Sequence, residues 1–332
     1  MRQPALIDIK NQKTADGIPY ELILYDKIHK GIELDFSERK DIDRLVEFYF
    51  NQISFFRDTK PSDLALDEIK ILEKHFRRVF DVSFLMMDEL RSNTFYRAVL
   101  NRSILDRNTR IELTKHLINP PDDIIQGIGK YGRANTPEKS VFYLSRDIAS
   151  TMTEIDYEVG DLITVSEWRQ EKNFKVLPIA LDPRFVHQKE YIKKTKKAYE
   201  IAETKMHPIL FSLMKEVHSF MGSEFSKVNV NNHLEYLYSA NFSYNIFKNA
   251  IESKDLSPVA ILYPSVGLDY KNFNIVFEPG LIRDNIRLMA VKEIRIKELA
   301  NFRTDNGIIN RHDITGIVKA FNKKEGKLIW NN

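Results

Sequence analysis

The sequence predicts an α+β fold, on three observations. Two apolar stripes at helical spacing fill much of the first 90 residues. Short runs of β-forming residues, bounded by turn residues, are scattered through the middle of the chain. The third is negative. Only 12 glycines occur among 332 residues, and strand and helix patterns alternate irregularly, which does not suit a doubly wound sheet or a barrel.

Taken in order, Ile42, Leu45, Val46, Tyr49, Ile53 and Phe56 lie on one helix face. Thr59-Lys60-Pro61-Ser62 interrupts that pattern, and Ser62 is the expected cap of the next helix. Leu66, Ile69, Leu72, Phe76, Val79 and Phe80 make its apolar stripe, with charged residues between them. Val141 to Leu144 reads as a strand after the turn signal Asn135-Thr136-Pro137. Asp147 is the expected N-cap of a helix running to about Tyr157. Asp161 to Ser166 and Lys175 to Ile179 read as strands. A long helical stretch covers Lys189 to Phe225, broken or kinked at Pro208. Val259 to Tyr263 and Asn274 to Glu278 read as buried strands. The segment after 285 reads as a charged helix or strand tail ending on Leu328-Ile329-Trp330. The expected organisation is a helical extension over 1–90, an α+β domain over 91–285 and a tail over 286–332 packed on the core.

Composition excludes several chemistries. Zero cysteines remove disulfide frameworks, cysteine zinc sites, iron–sulfur clusters and thiol nucleophiles. The balance of 50 Lys+Arg against 47 Asp+Glu, a net +3, argues against a dedicated nucleic-acid binder. No apolar run approaches the ~20 residues of a membrane span, and no signal peptide is visible, so a soluble cytoplasmic protein is expected. The chain has no Walker A motif, no G-x-G-x-x-G after a strand, no H-E-x-x-H and no G-x-S-x-G. His207 and His218, eleven apart, are too far for one metal, and no metal is expected. Met86 and Met87 read as core. Lys189, Lys193, Lys194, Lys196 and Lys197 read as a solvated helix face, with contact to phosphate or an acidic partner as the other reading.

One constellation carries chemistry. Gly132 lets the backbone approach closely before Arg133, whose planar fork suits phosphate oxygens. Tyr143, in a strand, offers an aromatic face and a hydroxyl. The helix after Asp147 places Ser150, Thr151 and Glu154 on one polar face beside an apolar stripe. Arginine for phosphate, tyrosine for a flat ring and glutamate for a developing cation form a coherent set for a dinucleotide substrate. Spacing alone does not separate this from a structural role for each residue.

These residues also carry a resemblance. Phe95-Tyr96-Arg97, Gly132-Arg133-Ala134-Asn135, Phe142-Tyr143-Leu144, the Ser150-Thr151-Glu154 helix and Tyr263-Pro264-Ser265 occur in the order found in the RES domain family. The chain resembles that family over roughly residues 91–285. It departs from it at Thr136-Pro137-Glu138-Lys139 and at Ala260-Ile261-Leu262, where many members have glycines. Residues 1–90 match no family pattern.

The resemblance implies an ADP-ribosyltransferase-like mixed β core with surrounding helices and an enzyme that consumes NAD+. RES proteins are usually toxins of two-gene systems held in check by an Xre-type antitoxin. By position, Arg97 and Arg133 would hold the NAD+ phosphates or ribose, Tyr143 would stack on nicotinamide, and Glu154 would stabilise positive charge. Ser265 would position the substrate, with Asn135 and Thr151 in the binding set. Nicotinamide leaves neutral from a cation, so the ribose carbon becomes oxocarbenium-like and departure needs no general acid. The acceptor stays open between water, phosphate and a protein. The alternatives are a protein ADP-ribosyltransferase and a non-catalytic binding protein of this fold. The helical extension would cover the cleft, mediate self-association or dock an inhibitor.

Overall fold

The computed structural model describes residues 13, 20–80, 88–91, 93–181, 190–228, 230–253, 260–266, 270, 272–281, 285–299, 303–304, 307–308, 311–322 and 324–331. Met86, Met87, Lys189 and Val259 lie outside the described residues.

The N-terminal part forms helices α1 (Tyr20–His29), α2 (Phe36–Asp58) and α3 (Leu66–Val79). Asp35 starts α2 with a reciprocal cap. Its carboxylate accepts the Glu38 amide at 2.9 Å, and its own amide donates to the Glu38 carboxylate at 3.2 Å. The stripe from Ile42 to Phe56 is buried apart from half-buried Val46. Ser62 does not cap α3. It sits in a single 3-10 turn, Pro61–Asp63, and its hydroxyl donates to Glu235. The N-cap is Ala65, whose amide donates to Glu68 at 3.1 Å. Leu66 is exposed because it sits at the first helical position, before the stripe turns inward at Ile69.

Further along come α4 (Asp122–Ile128), α5 (Ile148–Thr153), α6 (Glu190–Lys205), α7 (Pro208–Phe225) and α8 (Leu237–Ser253). Pro208 occupies the first turn of α7, where its missing N–H costs nothing, so the long helical stretch is two helices. Strands are β1 (Asp88–Leu90), β2 (Thr94–Leu100), β3 (Phe142–Ser145), β4 (Leu162–Gln170), β5 (Phe174–Pro178), β6 (Ala260–Pro264) and β7 (Phe273–Phe277). They are followed by β8 (Ile286–Glu298), β9 (Arg303–Thr304), β10 (Gly307–Ile308), β11 (Arg311–Asn322) and β12 (Lys327–Asn331).

Among the described residues one mixed sheet runs β1-β5-β6-β7-β3-β2-β4-β8-β11-β12, and β9 and β10 form a separate hairpin. Among the described strands only β5 and β6 pair in parallel. The coarse expectation of an α+β architecture is met. The segment 286–332 is more than a covering tail, since β8 pairs with β4 from Leu162↔Arg295 to Gln170↔Ile286 and extends the central sheet. Buried Glu293 on β8 fixes it further, accepting from Arg110 at 3.0 Å and Thr315 at 2.7 Å.

The sheet separates two cores. On one face α2, α3, α7 and α8 surround an aromatic cluster in which Phe76 lies 5.0 Å from Phe56, 4.7 Å from Phe80 and 5.2 Å from Tyr238. That core includes Ile261, Tyr263 and Val276 of the sheet, so the N-terminal helices share it with the middle of the chain. The other face packs Phe95, Phe142, Trp168, Phe174 and Phe277 against Ile111 and Leu117. Among the described residues no helix is long and apolar enough to cross a membrane.

Candidate functional site

The sheet is thinnest between β2 and β3, which share one residue pair, Tyr96↔Ser145. Two arginines flank that pair. Arg146 donates to the Thr94 carbonyl at 2.8 Å, and Arg97 donates through Nη1 to the Tyr143 carbonyl at 3.0 Å. Where the strands part, a cavity of about 340 Å³ opens, within the range of small-molecule sites. Arg97, Arg133, Asn135, Tyr143, Thr151 and Glu154 all line it.

By strand alternation Arg97 belongs with Phe95 and Val99, whose side chains pack into the second core. Its guanidinium turns into the gap and lies 5.4 Å above the Phe142 ring. Nε is buried with no hydrogen-bond partner. Burial lowers the guanidinium to about 10, so it stays charged at neutral pH. A charged guanidinium at a cavity wall, with Nη1 held by a carbonyl, suits an anionic oxygen.

Arg133 sits on the loop before β3. Its Nη1 donates to the Phe225 carbonyl, and its Nη2 donates to the Lys227 carbonyl at 3.1 Å and the Tyr236 hydroxyl at 3.4 Å. The guanidinium is 5.0 Å from the Tyr236 ring centre. Arg133 thus satisfies carbonyls at and just beyond the C-terminus of α7, where a cation is also favoured by the helix dipole. Three of the five guanidinium N–H donors are engaged this way.

Tyr143 fixes the Gly132–Asn135 loop. Its hydroxyl accepts the Ala134 amide at 2.7 Å and donates to Asn135 Oδ1 at 3.1 Å. Burial raises the phenol, which is therefore neutral and able to do both. Gly127, Gly129 and Gly132 do have the spacing of a G-x-G-x-x-G motif. Gly127 lies within helix α4 and Gly129, with φ of 65°, ends it, so the three straddle a helix end and do not link a strand to a helix.

Asp147 caps α5 as expected, accepting the Ser150 amide at 2.8 Å. The helix stops at Thr153, short of the expected Tyr157. Buried Asp161 draws the following chain away. It accepts the Glu158 amide at 2.8 Å and pairs with Arg102 and Arg107 at 3.0 and 2.9 Å. Arg102 also holds the Asp156 carbonyl at 2.9 Å. This ending makes Glu154 the C-cap, with its carboxylate at the cavity.

Glu154 is exposed as a residue, yet one carboxylate oxygen is tied down. Oε1 accepts Asn274 Nδ2 at 2.8 Å and Ser265 Oγ at 3.2 Å. Oε2 has no hydrogen bond among the described residues. Ser265 is fully buried and lies behind Glu154 rather than on the cavity wall, so it does not face a substrate directly. Thr151 is buried and its hydroxyl returns to the Ile148 carbonyl at 2.8 Å, leaving its side chain as wall.

Tyr236 and Asn274, which no sequence motif singles out, also line the cavity, as does Tyr263 of the Tyr263-Pro264-Ser265 motif. Burial raises Tyr263 well above the usual phenol range. Asn274 immediately follows Phe273 at the start of β7, and strand alternation could have put its side chain with Val276 on the cavity-side face. Among the described residues no three histidine or carboxylate groups converge as metal ligands. No family model matches the chain, and no curated protein matches it.

Proposed function

We propose that this chain cleaves the nicotinamide–ribose bond of NAD+. The observation that carries the reading is Glu154, held by one oxygen at a cavity that also presents Arg97, Arg133 and Tyr143. In this reading the glycosidic bond breaks with its electron pair going to nicotinamide, which leaves neutral. The cationic ribose carbon is stabilised by the free oxygen of Glu154. Arg97 binds a phosphate or ribose oxygen through its guanidinium at the cavity wall, and Arg133 lends its remaining donors. An acceptor oxygen then bonds to that carbon and releases a proton. Water gives ADP-ribose, phosphate gives its phosphate ester, and a protein side chain gives a modified protein. An enzyme that drains NAD+ would act as a toxin, and an Xre-type protein partner belongs to the same reading.

The test incubates purified wild-type protein with NAD+, with and without phosphate, and separates the products by chromatography. Free nicotinamide is expected, with its yield reduced at least about 100-fold in Glu154→Gln. NAD+ left intact by wild-type protein, after removal of any copurifying inhibitor, would overturn the proposal.

A further inference from the structure

Glu154 follows a six-residue helix and is exposed, so by itself its side chain has several rotamers open to it. Two buried groups remove that freedom. Asn274 is 3% exposed and Ser265 is fully buried, and both donate to the same oxygen, Oε1. Ser265 is rigid in turn, since its amide donates to the Asn272 carbonyl at 2.8 Å and its carbonyl accepts the Tyr270 amide at 3.0 Å.

The Asn274 amide can present either nitrogen or oxygen to Glu154. The carboxylate decides between them, because its oxygens only accept. With Nδ2 given to Glu154, Oδ1 accepts the hydroxyl of buried Ser145. The opposite orientation would set the amide oxygen against a carboxylate oxygen at 2.8 Å and leave no donor there. Ser145 also belongs to the one residue pair that joins β2 to β3 among the described residues, so Asn274 is anchored at the backbone seam on which the cavity opens.

We propose that Asn274 is a positioning residue for Glu154, itself anchored by the hydroxyl of Ser145. This rests on the NAD+-cleaving reading of the same site. Asn274 engages Oε1 and thereby presents Oε2 to the cavity, where the charge of the leaving complex develops. Its contribution is to the geometry of the carboxylate and is expressed in the transition state.

The experiment compares wild type, Asn274→Ala and the isosteric Asn274→Asp, each also with Glu154→Gln. Measured are single-turnover NAD+ cleavage, NAD+ affinity by calorimetry, and the Glu154 carboxylate stretch by infrared difference against Glu154→Gln. Asn274→Ala is expected to slow cleavage on the order of 10-fold to 100-fold while NAD+ affinity stays within about threefold. Asn274→Asp, which puts a like charge beside Glu154, is expected to be slower still. In the Glu154→Gln background neither change should slow the reaction further. The carboxylate stretch should shift in both Asn274 variants. Additive losses, equal losses in affinity and rate, or an unshifted carboxylate stretch would overturn the assignment. If wild type leaves NAD+ intact, the function proposed above fails, and the infrared comparison alone decides whether Asn274 holds Glu154.

Discussion

A Cβ atom built on Gly132 would lie 2.1 Å from Oδ1 of Asn135, the oxygen that accepts the Tyr143 hydroxyl. The glycine is therefore required by the space around it, and the occupied space is part of the cavity wall. Gly132→Ala must displace the Asn135 amide and break its bond to Tyr143. The expected cost is about 1–3 kcal/mol, read as a lower denaturation midpoint with unchanged slope. Asn135→Ala in the same chain should recover most of it by vacating the contested space. A single Gly132→Ala protein as stable as wild type would contradict the packing described for this loop.

Arg133 spans two carbonyls, Phe225 and Lys227, while stacking near Tyr236. A lysine keeps the charge but has no planar fork to bridge both. Arg133→Lys should therefore lose about 1.5–3 kcal/mol of stability, the worth of hydrogen bonds to a charged group. Thermal unfolding measures this directly. If Arg133 served the substrate alone, Arg133→Lys would unfold at the wild-type temperature.

Arg97 presents a different balance. Its buried guanidinium holds one carbonyl and leaves Nε without a partner. Arg97→Met removes a costly desolvated charge along with one hydrogen bond, so the unliganded protein should change stability little. The ligand response should change much more. ADP-ribose at about 100 times its dissociation constant should stabilise wild type by about 2.7 kcal/mol and Arg97→Met far less. An undiminished thermal shift in Arg97→Met would remove Arg97 from the binding set.

His75 gives the N-terminal helices a pH dependence. Its Nε2 lies 2.6 Å from Gln52 Oε1 inside the core, and burial, with a smaller push from Arg78, lowers its pKa below the usual 6.5. The folded state thus resists a proton that the unfolded chain accepts. Stability from this group is fully present above pH 6.5 and is lost as pH falls toward the lower folded value. The midpoint of urea unfolding should drop between pH 7.5 and pH 5.5, and His75→Gln should flatten that slope. An equal slope in both proteins would place the acid sensitivity elsewhere.

The legible parts of the fold were those where local pattern and burial agree. The Ile42–Phe56 stripe became α2 because each apolar position meets the core. Pro137 and Asp147 bracketed β3 correctly because a proline and a capping carboxylate act through their immediate neighbours. The end of α5 was not legible, since it depends on Asp161 meeting Arg102, 59 residues away along the chain. The strand β8 was ambiguous for another reason. A register shift opposite Glu167 and Trp168 changes the phase of its alternation, so Ile286 and Leu288 are out of step with Val291 and Glu293.

The candidate site divides the same way. Gly132, Arg133, Tyr143 and Glu154 stood out because their residue types carry a chemistry. Tyr236 and Asn274 did not, because an ordinary tyrosine and asparagine gain meaning only from Arg133 and Glu154 beside them. Ser265 was noticed, but its burial behind Glu154 depends on how β6 and β7 pair.

The lone Tyr96↔Ser145 pair has a mechanical consequence. It divides the sheet into two five-stranded slabs, β1-β5-β6-β7-β3 and β2-β4-β8-β11-β12, whose backbones pair at one point, with Arg97 and Arg146 bridging beside it. Arg97 comes from one slab, while Tyr143 and Asn274 come from the other. Any molecule gripping both sets of residues adds a further stitch. Occupancy of the cavity and stiffness across the seam then share one free energy, so a ligand should slow amide exchange along β2 and β3 well beyond the atoms it touches.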